Sequence, residues 1–174
     1  GHDIQFAYIG RYSEEKGIDW LIHVFEKSSE KQILHLFGGG VLKDETENIL
    51  ARQARIINHG MLQEAELNKA LRDIDVVIVP SLWEEPFGRV ILDAFKSGSP
   101  VIVTKRGGLA ENVVHEKSGL LIEPDDEELM NAMEKIKMPG IIDEMCEEIL
   151  KVLPLYSVQQ QAKTFMSIYE EVRK

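Results

Sequence analysis

Asp75-Val76-Val77-Ile78-Val79-Pro80-Ser81-Leu82-Trp83-Glu84-Glu85-Pro86-Phe87-Gly88-Arg89 is the stretch on which the fold turns. Its first part sets four β-branched apolar residues in a row and ends them at Pro80. Such a run, with no polar alternation, has the composition of a central parallel strand covered on both faces. Pro86 and Gly88 then mark a loop becoming a helix, and Phe87, Val90, Ile91, Ala94 and Phe95 share one side of it as far as Ser97. The backbone N–H groups of that first helical turn lack earlier carbonyl partners and, aided by the helix dipole, form a ready anion site.

The same alternation extends outward in both directions. Strand-like runs cover Ile4 to Ile9, Gln32 to Phe37, Arg55 to Asn58, Val101 to Val103 and Gly119 to Ile122. Between them lie helix-period segments from Lys16 to Lys27, Leu42 to Arg52, Glu64 to Arg72 and Leu109 to His115. A further helix opens at Pro124-Asp125-Asp126 and runs to Lys137, and Pro139-Gly140 and Pro154 divide the tail into helices near 141–151 and 158–173. Gly38-Gly39-Gly40 reads as the end of the second strand. Six strands with helices between them predict an α/β fold: a Rossmann-like open parallel sheet with helices on both faces. In such a sheet ligands bind beyond the carboxyl ends of the strands, so the loops after each strand are where function is expected.

The chain has 174 residues, 44% of them hydrophobic and 29% charged, which suits one domain over 1–174. Thirty acidic and twenty basic side chains leave a formal charge of −10, the wrong sign for a general nucleic-acid or anionic-membrane binder. Residues 111–148 supply −9 of it and read as a solvated helical surface, which leaves −1 for the rest of the chain and residues 1–110 free to receive an anion. No apolar run approaches the roughly 20 residues of a membrane-spanning helix. One cysteine, Cys146, excludes an internal disulfide and points to a reducing cytosol; nearby Glu144, Glu147 and Glu148 disfavour its thiolate. His2, His23, His35, His59 and His115 are scattered singly, without metal-ligand spacing. Gly1-His2 reads as a cloning remnant, which would make the chain a piece of a longer protein.

Three loops carry candidate chemistry. After the first strand, Gly10 permits close approach, and Arg11 and Lys16 can both point into the crevice above the sheet. Two cations beside a helix start suit a diphosphate; a surface ion pair with Glu14 or Glu15 is the plainer alternative. In the second loop Glu85 precedes the helix, while Asp93 lies about 8 Å further along it at ~1.5 Å per residue. Carboxylates on both sides of a phosphate-binding turn suit a ligand with hydroxyls at both ends, although a helix N-terminal acid and an exposed helix residue are the plainer readings. The third loop, Lys105-Arg106-Gly107-Gly108, offers paired glycines for close ligand approach. Trp20 and Trp83 read as packing residues, with Trp83 near enough to Glu85 to line a pocket.

Taken in order, these segments resemble the C-terminal half of GT-B-fold retaining glycosyltransferases, the group 1, mannosyltransferase-like family. The resemblance rests on Gly10-Arg11 with Glu15-Lys16-Gly17, Gly38 with Gly40, Asp75-Val76 with Pro80-Ser81, Glu85-Pro86-Phe87-Gly88 through Asp93, Gly98 with Pro100-Val101-Ile102, Gly107-Gly108 with Glu111, and Ser118-Gly119-Leu120-Leu121. It covers roughly residues 4–125. The catalytic roles it implies fall on Arg11, Lys16 and Glu85. The first two would hold the donor diphosphate and stabilise the leaving group, and Glu85 would contact the hexose. The backbone of Phe87, Gly88, Arg89 and Val90 would cradle the phosphates, and Asp93 would take the ribose hydroxyls. There the sequence departs from the family, whose second acid is usually a glutamate, so the contact would be longer or bridged by water.

Asn58-His59-Gly60-Met61-Leu62 resembles the family's base-binding turn, with backbone groups of Met61 and Leu62 at the nucleobase edge. Glu64 could accept both N1–H and N2–H of guanine, or simply be a first-turn helix acid. The resemblance thus implies transfer of a hexosyl group with retention, from GDP-mannose or alternatively a UDP-hexose, with no cofactor and no obligatory metal. It also implies an N-terminal acceptor domain that 174 residues do not contain, a cytosolic location, and association of the whole enzyme with the inner membrane face. A non-catalytic GT-B-like module, a generic Rossmann binder and a GT-B epimerase are the competing readings; the Rossmann binder would show a Gly-x-Gly-x-x-Gly turn after the first strand.

Overall fold

The computed structural model describes residues 3–157 together with 159, 160, 162, 163 and 166. The helix expected near 158–173 falls largely outside the described residues. Six strands, β1 (Ile4–Tyr12), β2 (Gln32–Gly40), β3 (Ile56–Gly60), β4 (Val76–Val79), β5 (Val101–Thr104) and β6 (Gly119–Ile122), form one sheet in the order β3-β2-β1-β4-β5-β6. Every pairing is parallel. Helices α1 (Ile18–Glu26), α2 (Asp44–Arg52), α3 (Glu64–Ala70), α4 (Arg89–Ser97), α5 (Gly108–Asn112), α6 (Asp126–Ile136) and α7 (Ile141–Val152) alternate with the strands or close the chain. This is the six-strand Rossmann-like α/β architecture that the alternation of segments predicts.

The sheet buries two faces because successive strand side chains point to opposite sides. Phe6, Leu34, Leu36, Val76 and Ile78 meet α1, α2 and α6 in one core, through residues such as Leu21, Ile49 and Met133. Ala7, Phe37, Val77, Val101 and Val103 meet α4, α5 and the segment after α3 in the other, through Leu71, Ile91, Phe95 and Leu109. Val76, Val77 and Ile78 are almost wholly inaccessible, as a run apolar on both faces requires.

Two boundaries differ from the sequence expectation in a way that matters to function. β1 and β2 run three residues further, pairing from Ile4↔Gln32 to Tyr12↔Gly40. Gly38-Gly39-Gly40 therefore continues the second strand, and Gly10 and Arg11 lie on the end of the first rather than in a loop. The glycines allow this by closeness: a Cβ on Gly38 would stand 1.8 Å from the Gly10 carbonyl oxygen. The helix after β4 starts at Arg89, so Phe87 belongs to the preceding loop.

Candidate functional site

The strand order reverses between β1 and β4, which opens a crevice at their carboxyl ends. A cleft of about 180 Å³ lies there, lined by Gly10, Lys16, Ser81, Glu85 and the start of α4 at Gly88, Arg89 and Val90. Lys16 reaches it from a 3-10 turn, Glu14–Lys16, that ends at Gly17 with φ 68°. That left-handed residue lets the turn sit directly on the end of β4, since a Cβ on Gly17 would fall 1.9 Å from the Pro80 carbonyl oxygen. From this position the Lys16 ammonium pairs with the Glu85 carboxylate, side chains that are 30% and 13% exposed. The Ser81 hydroxyl donates to the same carboxylate oxygen at 3.0 Å.

The second loop is held from three sides. Thr104 Oγ1 donates to the Ser81 carbonyl at 2.5 Å, and the Leu82 amide donates to the Glu15 carbonyl at 2.9 Å. The Gly108 amide donates to the Glu85 carbonyl at 2.6 Å, and Asn112 Nδ2 donates to the Phe87 and Gly108 carbonyls, both at 2.7 Å. The space left by Gly107-Gly108 is occupied by protein. A Cβ on Gly107 would lie 2.5 Å from the Glu85 carbonyl oxygen, and one on Gly108 2.5 Å from that of Pro86. On its Cβ side the glycine pair admits the Glu85–Phe87 backbone and so positions Glu85.

Arg11 lies just outside the first cleft. Its guanidinium donates to the Glu15 carboxylate at 2.7 Å and its side chain is 69% exposed, so in the free protein the plainer reading of Arg11 as half of a surface ion pair describes it. It lines a neighbouring cavity of about 520 Å³ with Gly10, Gly38, Gly39, Met61 and Leu62, and another of about 380 Å³ with Glu15, Lys16 and Trp83. The Glu15 carboxyl is held below the usual carboxylate range by its own backbone amide first, then by the Ser13 side chain, and more weakly by Arg11. Tyr8, beneath the site, donates from its hydroxyl to the Arg11 carbonyl at 2.6 Å. Burial first, then the charges of Tyr12 and Glu85, drives the Tyr8 phenol well above its ordinary range, so it stays a proton donor.

The structure therefore gathers Gly10, Lys16, Glu85, Gly88, Arg89 and Val90 at one cleft, and Gly10, Arg11, Met61 and Leu62 at its neighbour. Phe87 is exposed on the loop. Glu64 is exposed on the first turn of α3 and lines neither cleft, while Gln63 and Glu66 close a capping box at that helix start. Asp93 lies more than a turn into α4, 3.8 Å from Lys96, and also lines neither cleft. Sequence reasoning missed Tyr8, Ser81, Thr104 and Asn112. Thr104 and Asn112 act on Ser81 and Phe87, 23 and 25 positions away, which no local pattern announces, whereas Tyr8 and Ser81 bond residues three and four positions on and were overlooked because no motif marks a hydroxyl as a support.

Three further expectations are corrected. His35 and His59 are not isolated: Nδ1 of His35 lies 2.8 Å from Nε2 of His59, and the two rings stack with Phe37. Burial and the neighbouring His59 lower the His35 pKa. Trp83 is not a packing residue, being 57% exposed, whereas Trp20 does pack on the first core. The Cys146 thiol is pushed up as expected, but by burial first and then by Asp143 and Asp75 rather than by the neighbouring glutamates. No group of three His, Cys, Asp or Glu side chains suited to a metal ion occurs among the described residues, and no described helix is long and apolar enough to cross a membrane.

The sheet order places the molecule in the Rossmann-like α/β class, and its structural neighbours are GT-B glycosyltransferases. The chain belongs to the glycosyl transferases group 1 family, whose model matches residues 3–137. Among curated relatives, the uncharacterized glycosyltransferase MJ1607 of Methanocaldococcus jannaschii is 34% identical over 122 residues, covering 67% of this chain and 31% of that protein. The sulfoquinovosyl transferase SQD2 of Arabidopsis thaliana is 32% identical over 124 residues, covering 70% of this chain and 24% of SQD2. Of solved structures, Anabaena Alr3699/HepE in complex with UDP-glucose superposes with a TM-score of 0.82 at 25% identity, over 95% of this chain and 49% of that one. Sucrose-phosphate synthase of Thermosynechococcus elongatus superposes at 0.83 and 27% identity, over 98% and 45%. The chain thus spans about a quarter to a third of those curated relatives.

Proposed function

We propose that this domain binds a nucleoside diphosphate hexose at the β1–β4 switch point and serves transfer of the hexosyl group with retention at the anomeric carbon. The observation that carries the reading is the convergence of Lys16, Glu85 and the first turn of α4 on one cleft. In this reading the diphosphate takes Lys16 from Glu85. Arg11 swings from its exposed pair with Glu15 to the same phosphates, and the amides of Gly88, Arg89 and Val90 hold them from the other side. The freed Glu85 carboxylate accepts hydrogen bonds from hexose hydroxyls, with Ser81 keeping it aimed. As the glycosidic bond breaks, the positive groups stabilise the charge that develops on the leaving diphosphate, so no metal is obligatory. Asp93 takes the ribose diol through water, and Met61 and Leu62 meet the base.

The most specific donor reading is GDP-mannose, which requires that Glu64, exposed on the first turn of α3 and outside both clefts in the free protein, turn to the base edge to accept the paired donors of guanine. A UDP-hexose is the second reading, favoured by the UDP-glucose that Anabaena HepE binds. The acceptor site belongs to an N-terminal domain outside this chain, and the whole enzyme works in the cytosol at the inner membrane face. Calorimetric titration with GDP, UDP, ADP and their sugar derivatives tests the proposal: one diphosphate series binding weakly and saturably supports it, and none binding refutes it. Hexosyl transfer by the isolated chain would overturn the division into two domains.

A further inference from the structure

We infer that Trp83, with Arg11, Glu15 and Lys16, forms a second sugar subsite, a platform for a pyranose of the acceptor carried by the donor domain itself. The inference rests on the proposed donor site, because it places the platform next to it. The cavity concerned, about 380 Å³, is lined by these four residues and shares Lys16 with the first cleft. Its composition is an aromatic plate ringed by charged hydrogen-bonding groups, the arrangement in which an apolar ring face stacks and hydroxyls are fixed from the side.

Trp83 is 57% exposed, yet its loop is not loose. The Leu82 amide is tied to the Glu15 carbonyl at 2.9 Å, and Thr104 Oγ1 holds the Ser81 carbonyl at 2.5 Å. These bonds fix the backbone that carries Trp83, and the indole itself stands open to solvent, where a ring face can stack on it. The polar rim suits hydroxyl recognition. Arg11 and Glu15 hold each other at 2.7 Å in the free protein; once Arg11 turns to the donor phosphates, the Glu15 carboxylate is released beside Trp83 and can accept from a neighbouring hydroxyl. Because Lys16 lines both cavities, a pyranose on Trp83 stands next to the group that would carry the donor phosphates.

The test uses a Trp20→Phe background, in which Trp83 supplies the remaining indole emission of this two-tryptophan chain. The probes are methyl α-glucopyranoside, methyl α-mannopyranoside and maltose, each titrated with and without UDP or GDP. A saturable change in Trp83 emission is expected with at least one probe. By saturation-transfer NMR, Trp83→Ala should weaken that probe about tenfold, the scale of one lost aromatic stack, while Trp83→Tyr keeps it within about threefold. Nucleotide affinity, measured calorimetrically on the same samples, should be unchanged by Trp83→Ala. Nucleotide binding with no response of Trp83 to any of the three probes overturns the subsite and leaves the donor reading standing. Absence of nucleotide binding overturns the donor reading and the acceptor role with it.

Discussion

Replacing Gly108 by Ala tests whether the glycine pair positions Glu85. The added Cβ would stand 2.5 Å from the Pro86 carbonyl oxygen and 2.9 Å from Phe87 Cα, both of them backbone atoms that cannot rotate aside. To reach ordinary contact the two segments must part by about 0.9 Å, an overpacking that costs about 1–3 kcal/mol. Parting also breaks the 2.6 Å bond from the Gly108 amide to the Glu85 carbonyl, a further loss of about 1 kcal/mol. Alanine's better helix propensity at the start of α5 opposes this by at most about 1 kcal/mol. The net expectation is a loss of about 2 kcal/mol, or about 4–8 °C in Tm for a domain of this size. The displaced Glu85–Gly88 segment should weaken nucleotide binding about tenfold. Differential scanning calorimetry and titration with the preferred nucleoside diphosphate read the two effects. A variant that melts within about 1 °C of the parent and binds equally well would refute the claim that this contact holds the loop.

Three other outcomes follow from the site. Arg11→Glu should abolish detectable diphosphate binding with little change in Tm, because an exposed pair contributes about 0–1 kcal/mol; unchanged affinity would move the phosphates elsewhere. Glu85→Gln should leave Lys16 less well neutralised and so tighten the bare nucleoside diphosphate, while removing the extra affinity that the attached hexose supplies; calorimetry on both ligands separates these, and an equal loss for both would contradict the proposed exchange of partners. His35, whose pKa is lowered in the fold, binds a proton more readily once unfolded. Its contribution is therefore present above the ordinary histidine pKa of about 6.5 and is lost as pH falls through the lower folded value. Urea melts at descending pH on the parent and on His35→Gln should diverge over that interval, and parallel curves would show that the His35–His59 pair does not couple to folding.

Much of the architecture was legible in local pattern. The β-branched run Val76–Val79, the stripe of Ile18, Leu21, Ile22 and Phe25, and the turn residues at Pro86, Gly98-Ser99-Pro100 and Pro139-Gly140 are short-range signals, and short-range geometry obeys them. The glycines misled where their reason is a distant backbone. Gly38 ends no strand because Gly10 on the next strand needs its space, and Gly107-Gly108 makes room for the Glu85–Phe87 backbone. Trp83 misled in the opposite sense, since a large aromatic is expected inside and this one stands exposed on the loop between β4 and α4.

By itself the sequence determined the alternation of strands and helices, the end of the sheet at which loops gather, and the residue types that could face an anion there. These depend on periodicity and chemistry along a few neighbouring residues. Which of those residues meet depended on the tertiary structure. Lys16 finds Glu85 across 69 positions because the reversal of strand order sets β1 beside β4. Glu64 and Asp93 stay off the cleft because α3 and α4 point them elsewhere. A contact between distant segments is a property of how the elements pack, and no window on the chain contains it.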